Sequence, residues 1–163
     1  MNPKINKTVW IGAPTNHIRV QAMEKFSPHE DLIYFKLMNW GEVRSGKEEA
    51  VYLSLEDHLN YKLLLDLPGN GFSARIYYFM FCKRPIIKLY DSHKLWFDRD
   101  LPENTILRAN NLSDILEISK KLLIDEEFYN MVVYNTWKFA ENYMTKEKSM
   151  DYLAKVINEL PFE

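Results

Sequence analysis

Short apolar runs of β type alternate with helix-type segments along most of this chain, and that alternation limits the possible folds more than any other property of the sequence. Residues 7–13 read as a strand ending in a Gly-Ala-Pro turn, and residues 31–40, rich in Ile, Tyr, Phe and Leu, as a second. Residues 61–67 read as a strand of the fully buried kind, with 85–90 and 105–108 as two further strands. Helices are expected between them at 18–26, 54–60 and 73–81. In the middle one Ser54 can cap, with Asp57 three residues on, as in a capping box. Residues 41–49 are polar and contain Gly46, which predicts a loop, and residues 91–104 read mostly as loop. Asn111 then caps a helix with Asp114 three residues later and an apolar face of Leu112, Ile115, Leu116, Leu122 and Leu123. A longer helix over 126–143 and an amphipathic one over 146–160 follow with no strand between them. Strand–helix alternation implies an α/β fold, Rossmann-like, with a mainly parallel sheet flanked by helices. Residues 1–163 read as one domain, 143–163 being a C-terminal helical extension.

Composition excludes several classes. With 47% hydrophobic and 14% aromatic residues in 163, the chain can bury a real core. A net charge of -2 gives no basis for nucleic-acid binding, and the short basic pieces (Lys4 and Lys7, Lys83 and Arg84, Lys120 and Lys121) read as solvated faces. Cys82 is alone, so there is no internal disulfide and no Cys-based zinc site, and its apolar surroundings predict a buried small hydrophobe. No segment resembles a signal peptide, and none approaches the roughly 18 apolar residues of a membrane span. The expectation is therefore a soluble, cytoplasmic chain, or a secretory-lumen one if it is part of a longer protein. His17, His29, His58 and His93 lack metal-ligand spacing, and His58 reads as structural. Asp98-Arg99-Asp100 matches an Asp-x-Asp metal pattern, but chance matches are frequent among 23 acidic residues; no metal is expected.

The chemistry concentrates where the third strand ends. Leu67-Pro68-Gly69-Asn70-Gly71 is a Gly-x-Gly turn, and Ser73-Ala74-Arg75 opens the next helix-like run. Unpaired amides, a hydroxyl and a guanidinium at one helix start suit a phosphate. In a parallel sheet this loop lies beyond the carboxyl ends of the strands, where ligands bind. The loop after the first strand carries Thr15, Asn16, His17 and Arg19, and two arginines from two such loops suit a shared diphosphate. There is no Gly-Lys-Ser/Thr of a Walker loop, no full dinucleotide fingerprint, and no Gly-x-Ser-x-Gly around Ser73. A glycine-rich loop with a surface arginine remains the plain alternative.

The stretch from His58 through Tyr61 and Lys62, the apolar run, Gly69, Gly71, Ser73 and Arg75 resembles the hallmark of glycosyltransferase family 90, which includes Rumi-type protein O-glucosyltransferases and fungal capsule-associated xylosyltransferases. Trp96-Phe97 with Leu101-Pro102, then Leu112-Ser113-Asp114-Ile115-Leu116, then Phe139-Ala140 and Tyr143-Met144, are similar to later segments of that family in the same order. Trp10, Gly12 and Arg19 resemble its first motif. The resemblance implies the C-terminal, donor-binding half of a GT-B transferase that moves glucose or xylose from a UDP-sugar to a saccharide or protein hydroxyl, with inversion and without metal or further cofactor. It assigns the donor diphosphate to Ser73 and Arg75, with Arg19 as second contact and Gly69 and Gly71 allowing close backbone approach. Ser113 and Asp114 would sit at the nucleoside end.

The chain departs from the family at Ile11, where the family has Arg, at Thr105-Ile106, where it has His-Tyr, and at Asn111, where it has Asp. The family's acceptor half, with its catalytic carboxylate, has no counterpart before Trp10, so no catalytic residue is assigned here. A non-catalytic UDP-sugar-binding module, or a subunit completed by a partner chain that supplies the acceptor domain, is the alternative the sequence leaves open.

Overall fold

A computed structural model describes residues 2–71, 73–90 and 95–159. Five strands, β1 (Ile5–Gly12), β2 (Ile33–Leu37), β3 (Tyr61–Asp66), β4 (Ile86–Leu89) and β5 (Ile106–Ala109), form one sheet in the order β2-β1-β3-β4-β5. Every pairing is parallel. The helices are α1 (His17–Phe26), α2 (Trp40–Arg44), α3 (Leu55–His58), α4 (Arg75–Phe79), α5 (Leu112–Ile124), α6 (Glu126–Tyr143) and α7 (Lys146–Glu159). The five strands and the α/β class follow the sequence pattern.

Period-two alternation along β3 explains the two-sided burial that a parallel sheet requires. Leu63, Leu65 and Leu67 face one layer with Trp10, Phe35 and Ile87, covered by Ala22 and Phe26 of α1 and Ile115, Leu116 and Leu122 of α5. Leu64 faces the other with Val9 and Ile86, under Ile76 and Phe79 of α4 and Phe139 and Ala140 of α6. The first layer is also joined by a buried polar pair, Thr8 Oγ1 donating to Ser119 Oγ at 2.8 Å between β1 and α5. His58 packs against Phe79 with ring centroids 5.6 Å apart, and its Nδ1–H donates to the Ser54 carbonyl at 2.7 Å, the structural place expected of it. Burial pushes its pKa down.

Caps behave as read. The Ser54 hydroxyl accepts from Asp57 N at 3.0 Å, and Asn111 Oδ1 accepts from Ser113 N and Asp114 N at 2.8 and 3.0 Å. Three expectations need correction. The predicted 41–49 loop begins as helix α2, because Asn39 caps it by accepting from Gly41 N at 2.9 Å. The helix predicted over 73–81 is only the five residues of α4, and its N-cap position, Ala74, offers no side-chain cap. Cys82 is half-buried rather than buried; its Sγ–H points to the Tyr78 carbonyl at 3.3 Å. In the C-terminal extension α7 ends at Glu159 and holds no buried residue, Tyr152 resting against Trp96 at 4.9 Å. His93 and residues 160–163 lie outside the described residues, as do 91–94 of the predicted loop.

Candidate functional site

In the strand order β2-β1-β3-β4-β5 the chain runs outward from β1 in both directions, so the topological switch lies between β1 and β3. The loops that leave these two strands at their carboxyl ends are the two singled out by sequence, Gly12 to Asn16 and Leu67 to Ser73. They are bound together by side chains of the first. Asn16 Nδ2 donates to the Gly69 carbonyl at 2.9 Å, while its Oδ1 caps α1 by accepting from Ile18 N at 3.0 Å.

Arg19 does most of the joining. Nε donates to the Pro68 carbonyl at 2.8 Å, Nη2 to the Leu67 carbonyl at 3.1 Å, and Nη1 to both the Ala13 carbonyl and Thr15 Oγ1 at 2.9 Å. It is buried, 7% exposed. At the opposite end of β3, Arg84 clamps the Leu59 and Tyr61 carbonyls in the same way, at 2.9 and 3.1 Å. Both are the answer to a strand whose flanking carbonyls are buried beyond the sheet ladder.

Arg75 is held differently. One N–H donates to the Ile11 carbonyl at 2.9 Å, the only hydrogen bond it makes among the described residues. Its guanidinium lies 5.4 Å from the Trp10 ring centre and that of Arg19 lies 5.1 Å from it, so one indole supports two cations. Phe35 stacks on the same indole at 4.4 Å and fixes it. Burial pushes the pKa values of both arginines down, and at Arg19 the positive charge of Arg75 adds to it.

Beneath them is Asp66, the last residue of β3 and a residue to which sequence reading assigned no role. It is 1% exposed, and its Oδ1 has no hydrogen-bond partner among the described residues. Burial pushes its carboxyl up to about 6, against the opposing pull of the Ser73 hydroxyl, Arg75, Lys88 and Arg19. Lys88 is its register partner on β4. Arg75, Lys88 and Arg19 therefore bring three cations to one carboxyl. The available signal was that Asp66 is the one polar residue of an otherwise apolar strand end.

The glycines divide by role. A Cβ on Gly69 would meet Arg19 Nη2 at 3.2 Å and Thr15 Oγ1 at 3.3 Å; this residue makes room for the clamp. A Cβ on Gly12 would meet the Trp10 ring at 2.8 Å and Arg75 Nη2 at 3.0 Å. A Cβ on Gly71 would meet nothing within 4 Å.

A groove of about 660 Å³ continues from the switch over the carboxyl ends of the strands, lined by Asn16, His17, Pro68, Tyr90 and Ser113. Ser113 thus lies in the groove. Asp114 serves the α5 cap, accepting from Asn110 N and Asn111 Nδ2, both at 2.9 Å. A second pocket, about 670 Å³ and lined by Leu59, Lys62, Arg84 and Tyr129, lies where the strands begin, the end that in open α/β sheets does not carry the ligand crevice. Asp98 is far from either role: it accepts from Leu95 N and Arg108, both at 2.8 Å.

No protein-family model matches the chain, and no curated protein matches it in sequence. Solved structures do match in fold. A C-terminal domain of a glycosyl transferase group 1 family protein, LpcC of Francisella tularensis, superposes with a TM-score of 0.58 at 9% identity, covering 90% of this chain and 89% of that one. The chain has the fold of a GT-B glycosyltransferase C-terminal domain. A mutant of S. aureus TarM, solved with Fondaparinux, alpha-GlcNAc-glycerol and UDP, gives a TM-score of 0.60 at 13% identity over 94% of this chain and 36% of that chain. The GtfA/B complex gives 0.57 at 15% identity, over 97% and 36%. This chain thus spans about a third of the TarM and GtfA/B chains. Among the described residues no helix is long and apolar enough to cross a membrane.

Proposed function

We propose that this chain is the donor-binding part of a glycosyltransferase that takes a UDP-sugar. The observation that carries the reading is the cluster of Arg19, Arg75 and Lys88 around one carboxyl at the switch point of a GT-B-type sheet, where a ligand's phosphates belong. Arg75 and Ser73 contact the donor diphosphate. Arg75 has donors to offer, whereas Arg19 gives its N–H groups to carbonyls and acts on the diphosphate as a charge behind the loop wall. Gly71 leaves the backbone approachable, and Gly69 does so only indirectly, by seating Arg19. The uridine lies in the groove beside Ser113. With α4 only five residues long, its dipole contributes little, and the guanidinium supplies most of the attraction.

The reaction in this reading is the one the family 90 resemblance implies: glucose or xylose passes to a hydroxyl with inversion and without metal. A general base on the acceptor side removes the hydroxyl proton. Arg75 stabilises the charge that develops on the leaving diphosphate. The base would come from an acceptor domain or a partner chain, and a module that holds the donor without performing transfer is the second reading. The TarM structure contains UDP, and a GtfA/B neighbour was solved as a complex, which agrees with both.

Titration calorimetry with UDP and UDP-glucose tests the site. Binding that weakens by roughly tenfold or more in Arg75→Ala supports it, a loss of about 1.4 kcal/mol; failure of the wild type to bind either ligand refutes it. Release of sugar from a bound donor, or its transfer to a hydroxyl acceptor, separates the transferase from the binding module.

A further inference from the structure

We propose that the pocket at the strand starts is a second binding site, for a saccharide that carries an acidic group. It lies apart from the crevice at the switch point and does not depend on the donor-binding reading. Its volume of about 670 Å³ is that of a small-molecule site, and its walls come from β3, α4, the turn before β4, and α6. Lys83 and Arg84, neighbours in sequence, part company here. Arg84 is 5% exposed and donates to the Leu59, Tyr61 and Lys83 carbonyls, so it holds the wall. Lys83 is exposed, and its backbone takes a left-handed φ of 52°, uncommon for a residue with a Cβ. Its ammonium lies 4.0 Å from the centre of the Trp137 ring, and that of Lys62 lies 5.0 Å from the centre of the Tyr129 ring. Among the described residues neither ammonium donates a hydrogen bond or pairs with a carboxylate. Two cations thus rest on ring faces at one pocket, with their N–H donors available to an anion.

The rest of the lining selects the body of the ligand. Tyr78 and Phe81, three residues apart, are 61% and 46% exposed at this pocket. The negative face of such a ring suits the weakly positive C–H groups of a sugar ring. Glu126 and Asn130 are one helical turn apart on α6, both exposed and both in the lining. The Glu126 carboxylate repels a bare anion but accepts from hydroxyls, and the Asn130 amide both donates and accepts. A ligand with an apolar ring face, several hydroxyls and one acidic group uses every part of this wall. Those are the parts of an acidic saccharide, with its carboxylate or phosphate on Lys62 and Lys83.

NMR titration of the full chain with glucuronic acid, and with glucose phosphorylated on its primary hydroxyl, tests the site and separates the two acidic groups. Saturable shifts are expected for amides of residues 59–62, 78–84 and 126–133. The Trp137 indole N–H should shift with them, because Lys83 leaves that ring for the anion. Neutral glucose and inorganic phosphate each hold half of the chemistry and should bind roughly tenfold or more weakly. Lys62→Gln and Lys83→Asn should each weaken the acidic sugar by roughly tenfold. Asn is at home in the left-handed region, so Lys83→Asn keeps the turn. Arg75→Ala should leave this binding unchanged, and neither lysine variant should alter UDP binding, so the two readings fail separately. Saturable binding of either sugar that is lost in the lysine variants supports the site, and the tighter sugar names the acidic group. No saturable shift with either sugar overturns it in the wild type alone. Binding that survives both lysine variants, or that is lost in Arg75→Ala, also overturns it. So does inorganic phosphate binding as tightly as the phosphorylated sugar, because the lysines would then take a bare anion.

Discussion

Arg19 and Arg75 rest against the same indole, yet they do opposite work. Arg19 is buried and gives three backbone carbonyls and a hydroxyl their hydrogen bonds; among the described residues Arg75 gives one bond, to one carbonyl. Two guanidinium groups set against one ring, drawn from the helices that follow β1 and β3, are engaged by the backbone to very different extents. The difference teaches that an arginine at a strand-end loop is not by that fact a ligand residue. Its role follows from how many buried carbonyls the loop leaves without partners.

Substitutions can break this contrast. The largest effect is expected for Arg19→Ala, which strands the Pro68, Leu67 and Ala13 carbonyls and should cost about 3 kcal/mol or more. Thermal denaturation should show a midpoint lower by roughly 6 to 12 °C for a domain of this size. Arg75→Ala should cost about 1 kcal/mol of stability while abolishing most UDP-sugar affinity. If the two variants lose stability equally, the division of labour is wrong.

The pH dependence of stability comes next. Asp66 has its folded pKa raised from 3.8 to about 6, so between those values the folded chain holds a proton that the unfolded chain releases. Its contribution to stability is therefore present at low pH, falls as pH rises from about 4 to about 6, and is flat above. The total is on the order of 3 kcal/mol at about 1.4 kcal/mol per pH unit. His58 opposes it. Its folded pKa is lowered, so its contribution is lost as pH falls through about 6.5. Urea denaturation of Asp66→Asn across this range should lack the falling branch.

Smaller effects sharpen the roles of the glycines. Gly12→Ala should cost roughly 1 to 3 kcal/mol, because Phe35 holds the Trp10 ring against the added methyl. Gly69→Ala should cost about 1 kcal/mol by pushing Arg19 and Thr15 aside by a few tenths of an ångström. Gly71→Ala should stay within about 0.5 kcal/mol in chemical denaturation, with its methyl in open space. Equal losses at Gly69 and Gly71 would contradict the separate reasons given for each.

Much of the fold was legible because its causes are local. The apolar runs of β1 and β3, the capping of α3 by Ser54 and of α5 by Asn111, and the helical spacing of α6 each arise from residues within a few positions of one another. Helix α2 was missed because Asn39, its cap, precedes the polar stretch that looked like a loop. The extent of α4 was overestimated because apolar residues up to Phe81 continue the helical pattern after the helix has ended at Phe79.

The candidate site was legible as residue types and not as roles. Ser73, Arg75, Arg19, Gly69 and Gly71 were all found on two strand-end loops by sequence alone, as was the parallel α/β class that places those loops side by side. Only the tertiary structure decided which arginine is a tie, why Gly69 has no side chain, and that Asp66 is sealed beneath three cations. The carbonyls that engage Arg19 lie 48 and 49 residues further along the chain, and Lys88 meets Asp66 across two paired strands. Periodicity and capping act within a turn or two of backbone. The burial of a charge, and the partners that satisfy it, exist only once distant strands have paired.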